Sequence, residues 1–280
     1  MKIAAVTGAN SGMGQSISLV LANSGMHVIL LCRNEKRGKE ALANIEKQKQ
    51  NGSVELQLCD LGSLESVKRA AEAIKAKHKT IDILINNAGV VTPKRQETED
   101  GFEMQIGVNH LGHFLLTNLL LDAIKRADDG RIIVVSSGAH EWGNFYEKDP
   151  HLHEHYNVLK GYGQSKLCNL LFAQALSKKL AETNVSVFAM HPGAVSTNLG
   201  VDRDSGFGAT IHKLLRPFFQ TPREGADTTL YLALSEKVKA DAGKYFVNRK
   251  VTKTAKQAQD VQLAQKCWEW SEKQTGLQTL

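Results

Sequence analysis

The chain has 280 residues, 42% hydrophobic and 23% charged, with a formal net charge of +6. This is the balance of a globular protein, and the length suits an α/β domain built on one large sheet. No run approaches the ~20 apolar residues of a membrane-spanning helix, so no integral membrane association is expected. Cys32, Cys59, Cys168 and Cys267 lie far apart and form no CxxC. They read as reduced, mostly buried thiols, and the expected location is cytoplasmic. Half of the positive surplus sits in residues 248–280, where six Lys/Arg face three acids. With no nucleic-acid motif around it, that tail reads as a solvated basic helix, and no nucleic-acid partner is expected.

Residues 2–7 form an apolar run, followed by Gly8-Ala9-Asn10-Ser11-Gly12-Met13-Gly14 and a helical pattern to Asn23. The run begins so close to the N-terminus that neither a secretory signal nor a membrane anchor is expected. Strand, glycine loop, helix is the setting of a phosphate-binding turn: glycines allow close backbone approach, and a helix N-terminus presents free N–H groups and a positive dipole end. The spacing is Gly-xxx-Gly-x-Gly, so by itself it fits an ordinary tight turn as well. Residues 27–31 are a second strand, ending in Cys32-Arg33-Asn34. NAD sites usually place an acid here for the ribose 2′-hydroxyl. Arg33, with Lys36 and Arg37 behind it, suits a 2′-phosphate instead, so NADP(H) is the expected cofactor and NAD(H) the alternative.

A charged helix over 35–50, a strand over 54–59 and a helix over 63–78 follow. Asp60 sits at the strand's end, placed to meet an adenine amino group, to cap the next helix, or both. Residues 81–85 are a strand running into Asn86-Asn87-Ala88-Gly89. Alternating apolar strands and helices predict a single-domain Rossmann-type α/β fold, doubly wound, with a mainly parallel seven-stranded sheet and helices on both faces. Ligands bind such sheets at the strands' carboxyl ends, where the glycine loop, Arg33, Asp60, Asn86 and Gly89 all fall.

Residues 97–125 are mainly helical, but Asn109 and Gly112 are poor helix-interior residues and point to a local kink or to a functional carbonyl or amide. Residues 131–135 are a strand ending in Ser136-Ser137, and Tyr162 follows 25 residues after Ser137 at the opening of a helix expected to run to about Leu180. Tyr162 and Lys166 are four apart and share a helix face. An ammonium beside a phenol favours the phenolate and lowers a pKa that is otherwise about 10.

Taken together, Thr7–Gly14, Asn86-Asn87-Ala88-Gly89, Asn109, Ser137, Tyr162-xxx-Lys166 and His191-Pro192-Gly193 with Thr197 resemble the classical short-chain dehydrogenase/reductase family, in its order and over essentially the whole chain. Residues 134–140, 164–169 and Thr221-Pro222-Arg223-Glu224-Gly225-Ala226 are similar to its retinol dehydrogenase-like subgroup, which mostly prefers NADP(H). The resemblance implies a catalytic set of Asn109, Ser137, Tyr162 and Lys166. Tyr162 would be general acid in carbonyl reduction and general base in alcohol oxidation. Lys166 would lower its pKa and bind the nicotinamide ribose. Ser137 would hold the substrate oxygen, with Ser136 facing the other way, and Asn109 would hold a water in a proton relay. The implied cofactor contacts are Gly8, Asn10, Ser11, Gly12, Met13, Gly14, Arg33, Asp60, Leu61, Asn87, Ala88, Gly89, Tyr162, Lys166, Pro192, Gly193, Val195 and Thr197. Assembly as a homodimer or homotetramer through the two long central helices is also implied.

The segment 141–160 carries Trp142, Phe145 and Tyr156 with His151-x-His153-x-His155. Those histidines share a face only on a strand, and no Cys or acid pattern completes a usual site, so surface histidines and no metal are expected. A strand over 185–190 follows. Residues 198–221 are glycine-broken and then amphipathic, with Ile211, Leu214, Leu215, Phe218 and Phe219. They predict an apolar substrate lid or a helix packed on the core. A helix over 223–234, a seventh strand over 243–247 and a last helix over 254–275 complete the chain. In that last helix Trp268 and Trp270 are two apart, so only one faces the core. The expected function is NADP(H)-dependent interconversion of a lipophilic aldehyde or ketone and its alcohol. The alternatives are an NAD-linked alcohol dehydrogenase of the same family and a non-catalytic dinucleotide-binding regulatory protein.

Overall fold

The computed structural model describes residues 1–193 and 221–277. The chain runs β1 (Ile3–Thr7), α1 (Gly12–Asn23), β2 (His27–Cys32), α2 (Glu35–Gln48), β3 (Ser53–Leu58), α3 (Leu64–Lys77) and β4 (Ile83–Asn86). It continues through α4 (Met104–Ile106), a π turn (Gly107–Leu111), α5 (Gly112–Lys125), β5 (Gly130–Val135), α6 (Val158–Lys179) and β6 (Val185–His191). The last described elements are α7 (Pro222–Leu234), β7 (Tyr245–Val247), β8 (Lys250–Val251) and α8 (Val261–Thr275). Val195, Thr197 and, apart from Thr221, the expected lid lie outside the described residues.

Among the described residues one sheet has the order β3-β2-β1-β4-β5-β6-β7-β8. Pairing is parallel from β3 through β7, as the unbroken apolar strands predict. The sheet has eight strands, not seven: the two-residue β8 turns back antiparallel on β7. Side chains alternate between two cores with period two. Ala5, Ile29, Leu31, Leu84, Ile132 and Val134 pack toward α3, α5, α6 and α8. Val6, Val28, Leu30, Ile85 and Ile133 pack toward α1 and α7. Strand order reverses between β1 and β4, which opens a crevice at their carboxyl ends.

The predicted helix over 97–125 is shorter and kinked. Glu97 instead bridges Glu103, whose buried carboxylate accepts from the backbone N–H groups of Gln105 and Ile106 at 2.8 and 2.9 Å and starts α4. The kink is the π turn, with Asn109 at its centre. A Cβ on Gly112 would stand 2.3 Å from the Leu61 carbonyl oxygen, so glycine there lets the helix lie against the chain after β3. The helix carrying Tyr162 also starts earlier than expected, at Val158, because the Asn157 side chain accepts from Leu159 N–H at 2.8 Å and caps it.

The C-terminal helix covers the central helices. Trp268 is 2% exposed, with ring centroids 4.9 Å from Phe114 on α5 and 5.9 Å from Phe172 on α6. Trp270 is half-buried rather than solvent-facing. It stacks on His110 and meets Phe145 and His151, so it anchors the segment between β5 and α6. At Phe114 and Phe172 the central helices pack against the chain's own last helix.

Candidate active site

A cavity of about 840 Å³ opens along the carboxyl ends of the strands. At one end the loop after β1 turns into α1. A Cβ on Gly14 would meet the Gly8 carbonyl oxygen at 2.4 Å and Asn87 Nδ2 at 2.7 Å, so only glycine admits this packing of loop on loop. Ser11 is the N-cap of α1 without donating or accepting a side-chain cap bond, and the first turn of α1 holds no acid. Ser11, Gly12, Met13 and Gly14 line the cavity, and a helix N-terminus carries the positive end of the helix dipole.

Thr7 ties the two loops of the crevice together. Its Oγ1 accepts from Asn87 N–H at 2.8 Å and Ala88 N–H at 2.9 Å, and its carbonyl accepts from Asn87 Nδ2 at 2.7 Å. Gly8, Asn10, Ser11, Gly12, Met13, Gly14, Arg33, Asp60, Leu61, Asn87, Ala88, Gly89, Tyr162, Lys166, Pro192 and Gly193 all line the cavity. Arg33 and Arg37 line it, while Lys36 does not. Neither arginine makes an ion pair among the described residues, because Glu35 pairs with Lys39. Asp60 Oδ1 accepts from Gly62 N–H at 2.9 Å, and the cap of α3 is Ser63 rather than Asp60. Asn86 is withdrawn from the cavity: it is buried, and its Nδ2 donates to Thr117 Oγ1 at 2.8 Å.

At the other end α6 brings Tyr162 and Lys166 against the end of β5. Lys166 Nζ lies 5.6 Å from the Tyr162 ring centroid and donates to the Val135 carbonyl at 3.3 Å. Burial pushes the Lys166 ammonium down to about 8. Burial pushes the Tyr162 phenol up, partly offset by its hydrogen bond to Ser137. The shared face is as the spacing predicts, but the expected lowering of the phenol pKa is not present. Lys166 is directed to a carbonyl, and desolvation disfavours both charged forms. Ser137 Oγ accepts from Ala139 N–H at 3.2 Å, which leaves its hydroxyl proton for another partner. Ser136 donates to the Lys166 carbonyl at 2.7 Å, pinning α6 to β5.

Asn109 does not line the cavity. Its Oδ1 accepts from Val90 N–H at 2.7 Å, and its Nδ2 donates to the Val90 carbonyl and Ser165 Oγ, each at 3.0 Å. Both Nδ2 hydrogens are therefore used, and its backbone carbonyl takes His113 Nδ1–H at 3.0 Å. His113 reaches Thr7 Oγ1 through Nε2 at 2.8 Å, and burial pushes its imidazole down to about 3. His113, Thr7, Arg37 and His191 are thus part of the site or its support beyond the predicted set. His191 lines the cavity, and burial, with His140 and Lys166 adding to it, lowers its pKa. Thr7, Arg37 and His191 stand in or beside stretches already singled out in the sequence, whereas His113 carried no such signal.

The histidines of the 141–160 segment take different partners, although the His151 and His153 rings meet edge-on with centroids 6.0 Å apart. His151 stacks on Phe102 and bonds Gln274, His153 bonds Arg95, and His155 is exposed in the left-handed region.

The short chain dehydrogenase family matches residues 2–206. The chain belongs to that family. Retinol dehydrogenase 14 of Mus musculus is 40% identical across 99% of this chain and 86% of its own length. Retinol dehydrogenase 13 of Homo sapiens is 41% identical across 99% and 85%. A crystal structure of an uncharacterised protein from Mycobacterium Paratuberculosis superposes with a TM-score of 0.80 at 32% identity, covering 99% of this chain and 94% of that one. This short chain dehydrogenase is an oxidoreductase acting on CH–OH groups, retinol dehydrogenase-like in sequence, in a family that uses NAD(P). No helix among its described residues is long and apolar enough to cross a membrane.

Proposed function

We propose that this dehydrogenase interconverts a lipophilic aldehyde or ketone and its alcohol with NADP(H), using Asn109, Ser137, Tyr162 and Lys166. The observation that carries the proposal is one continuous cavity with a glycine turn and two arginines without ion-pair partners among the described residues at one end and the Ser137–Tyr162–Lys166 cluster at the other. The residues present fit the cofactor: the N-terminus of α1 would hold the pyrophosphate, and Arg33 and Arg37 a ribose 2′-phosphate. The cofactor supplies the hydride.

The chain handles the proton. Tyr162 is a phenol whose raised pKa keeps it protonated near neutrality, and it donates to the carbonyl oxygen in reduction and takes the proton back in oxidation. Ser137 donates to the same oxygen and stabilises its developing charge. Lys166, with two N–H groups beyond its bond to Val135, holds the cofactor ribose and connects Tyr162 to a proton path past the Asn109 carbonyl. Val91, Pro93 and Met104 give the cavity apolar wall, and relatives named retinol dehydrogenases support a lipophilic substrate. Four free, buried cysteines support a reducing, cytoplasmic location.

The test is the initial rate of NADPH and NADH oxidation across carbonyls graded from short and polar to long and apolar. Faster turnover with NADPH and with apolar substrates is expected. A preference for NADH, or for phosphorylated or polyhydroxylated substrates, would overturn the corresponding half of the proposal.

A further inference from the structure

At the opposite edge of the sheet, three side chains distant in sequence converge. His27 is the first residue of β2, Glu55 is on β3, and His78 caps the C-terminus of α3. His78 Nε2 lies 2.7 Å and His27 Nε2 3.7 Å from the same oxygen, Glu55 Oε1. The three ligand atoms all lie within 4.8 Å of one another. The other carboxylate oxygen is held from outside by Lys77 Nζ at 3.4 Å, so Oε1 is the one turned to both imidazoles.

His27 supplies a second, independent observation. Its Nδ1 is 2.7 Å from Ser53 Oγ, its register partner on β3. Its Nε2 is buried with no hydrogen-bond partner among the described residues. At 3.7 Å from Glu55 Oε1, it is too far for a hydrogen bond in either tautomer. A buried polar atom without a partner is costly. A cation between the three atoms removes that cost, and Nδ1–H donated to Ser53 fixes the tautomer whose Nε2 lone pair faces inward.

We infer that His27 Nε2, Glu55 Oε1 and His78 Nε2 form a binding site for one divalent cation of the zinc type. Two imidazoles and a single carboxylate oxygen suit zinc and its neighbours rather than calcium or magnesium, which take oxygen ligands. A tetrahedral ion with ligands at about 2.0–2.2 Å separates them by roughly 3.3 Å. The 2.7 and 3.7 Å His–Glu55 separations bracket that value, and the two imidazole nitrogens lie within 4.8 Å of one another, so modest side-chain rotations complete the site. The side chains are 15%, 24% and 16% exposed, which leaves a solvent-side position for a water. The ion would clamp β2, β3 and the end of α3 together, at the strand ends away from the cofactor cavity.

The test uses the full chain without an affinity tag, stripped with chelator and titrated with Zn²⁺ by calorimetry and with Co²⁺ by visible absorption. One equivalent of Zn²⁺ should bind and raise the thermal midpoint, and Co²⁺ should give a tetrahedral spectrum. Glu55→Gln, which keeps the shape and so the fold, and His78→Gln should each weaken binding about tenfold or more. His151→Ala and His153→Ala should leave it unchanged. Absence of binding or midpoint shift at a roughly tenfold molar excess of Zn²⁺ would overturn the inference. So would stoichiometric binding that survives Glu55→Gln or depends on His151.

Discussion

His113 links the crevice loops to the kink that carries Asn109, and it makes the acid stability of this enzyme calculable at one residue. It is fully enclosed, donates from Nδ1 to the Asn109 carbonyl, and meets Thr7 Oγ1 through Nε2. Burial lowers its pKa from 6.5 to about 3. Between those values the unfolded chain binds a proton that the folded chain refuses. Stability from this site is therefore complete above about pH 6.5 and is lost as pH falls toward 3. Each pH unit inside the window costs about 1.4 kcal/mol, so roughly 2 kcal/mol is lost from pH 6.5 to 5. His113→Asn keeps an amide N–H near the Asn109 carbonyl but does not titrate. It should be less stable than wild type at pH 7 by about 1–3 kcal/mol, because Thr7 loses a partner. The gap should close by about 2 kcal/mol at pH 5. Urea unfolding of both proteins at pH 7, 6 and 5 measures this directly. Wild-type and variant stabilities that run parallel across the range would refute the assignment of a buried neutral imidazole.

Four further outcomes are expected. Tyr162→Phe should retain NADPH binding by fluorescence titration and lose at least about 10²-fold in kcat, since it removes the proton donor; turnover within several-fold of wild type would remove Tyr162 from the mechanism. Arg33→Ala with Arg37→Ala should weaken NADPH by about 1.5–3 kcal/mol per lost charged contact and leave NADH almost unaffected, read as the ratio of the two KM values. Lys166 is charged below about pH 8 and neutral above, so kcat/KM should fall as pH rises through that value; a flat profile to pH 10 would count against its role. Trp268→Ala should cost about 3–5 kcal/mol in urea unfolding and expose the α5–α6 face, and self-association measured by light scattering should rise with it.

Much of the site was readable before folding because each motif is local. A strand, a glycine turn and a helix N-terminus are contiguous, and Tyr162 and Lys166 are one helical turn apart. Parallel topology then carries Gly8, Arg33, Asp60, Asn87 and Ser137 to one edge without further information. Protonation was not readable. Proximity of Lys166 predicts a lowered phenol pKa, yet desolvation and the Val135 carbonyl decide otherwise. Asn109 was legible as a kink but not as a side chain held by Val90 and Ser165, since those partners lie 19 and 56 residues away.

The sequence alone determined the parallel sheet, the strand edge that carries the cavity and the shared helix face of Tyr162 and Lys166, because strand patterning and helical spacing are short-range properties of the chain. Tertiary structure alone decided what depends on burial and on distant partners. It set the neutral His113 between Thr7 and Asn109, packed α8 on Phe114 of α5 and Phe172 of α6, gave the histidines at 151, 153 and 155 separate partners, and brought His27, Glu55 and His78 together. Charge state and ligand geometry follow from the solvent a group loses and the neighbours it gains, and neither is written in the spacing of residues along the chain.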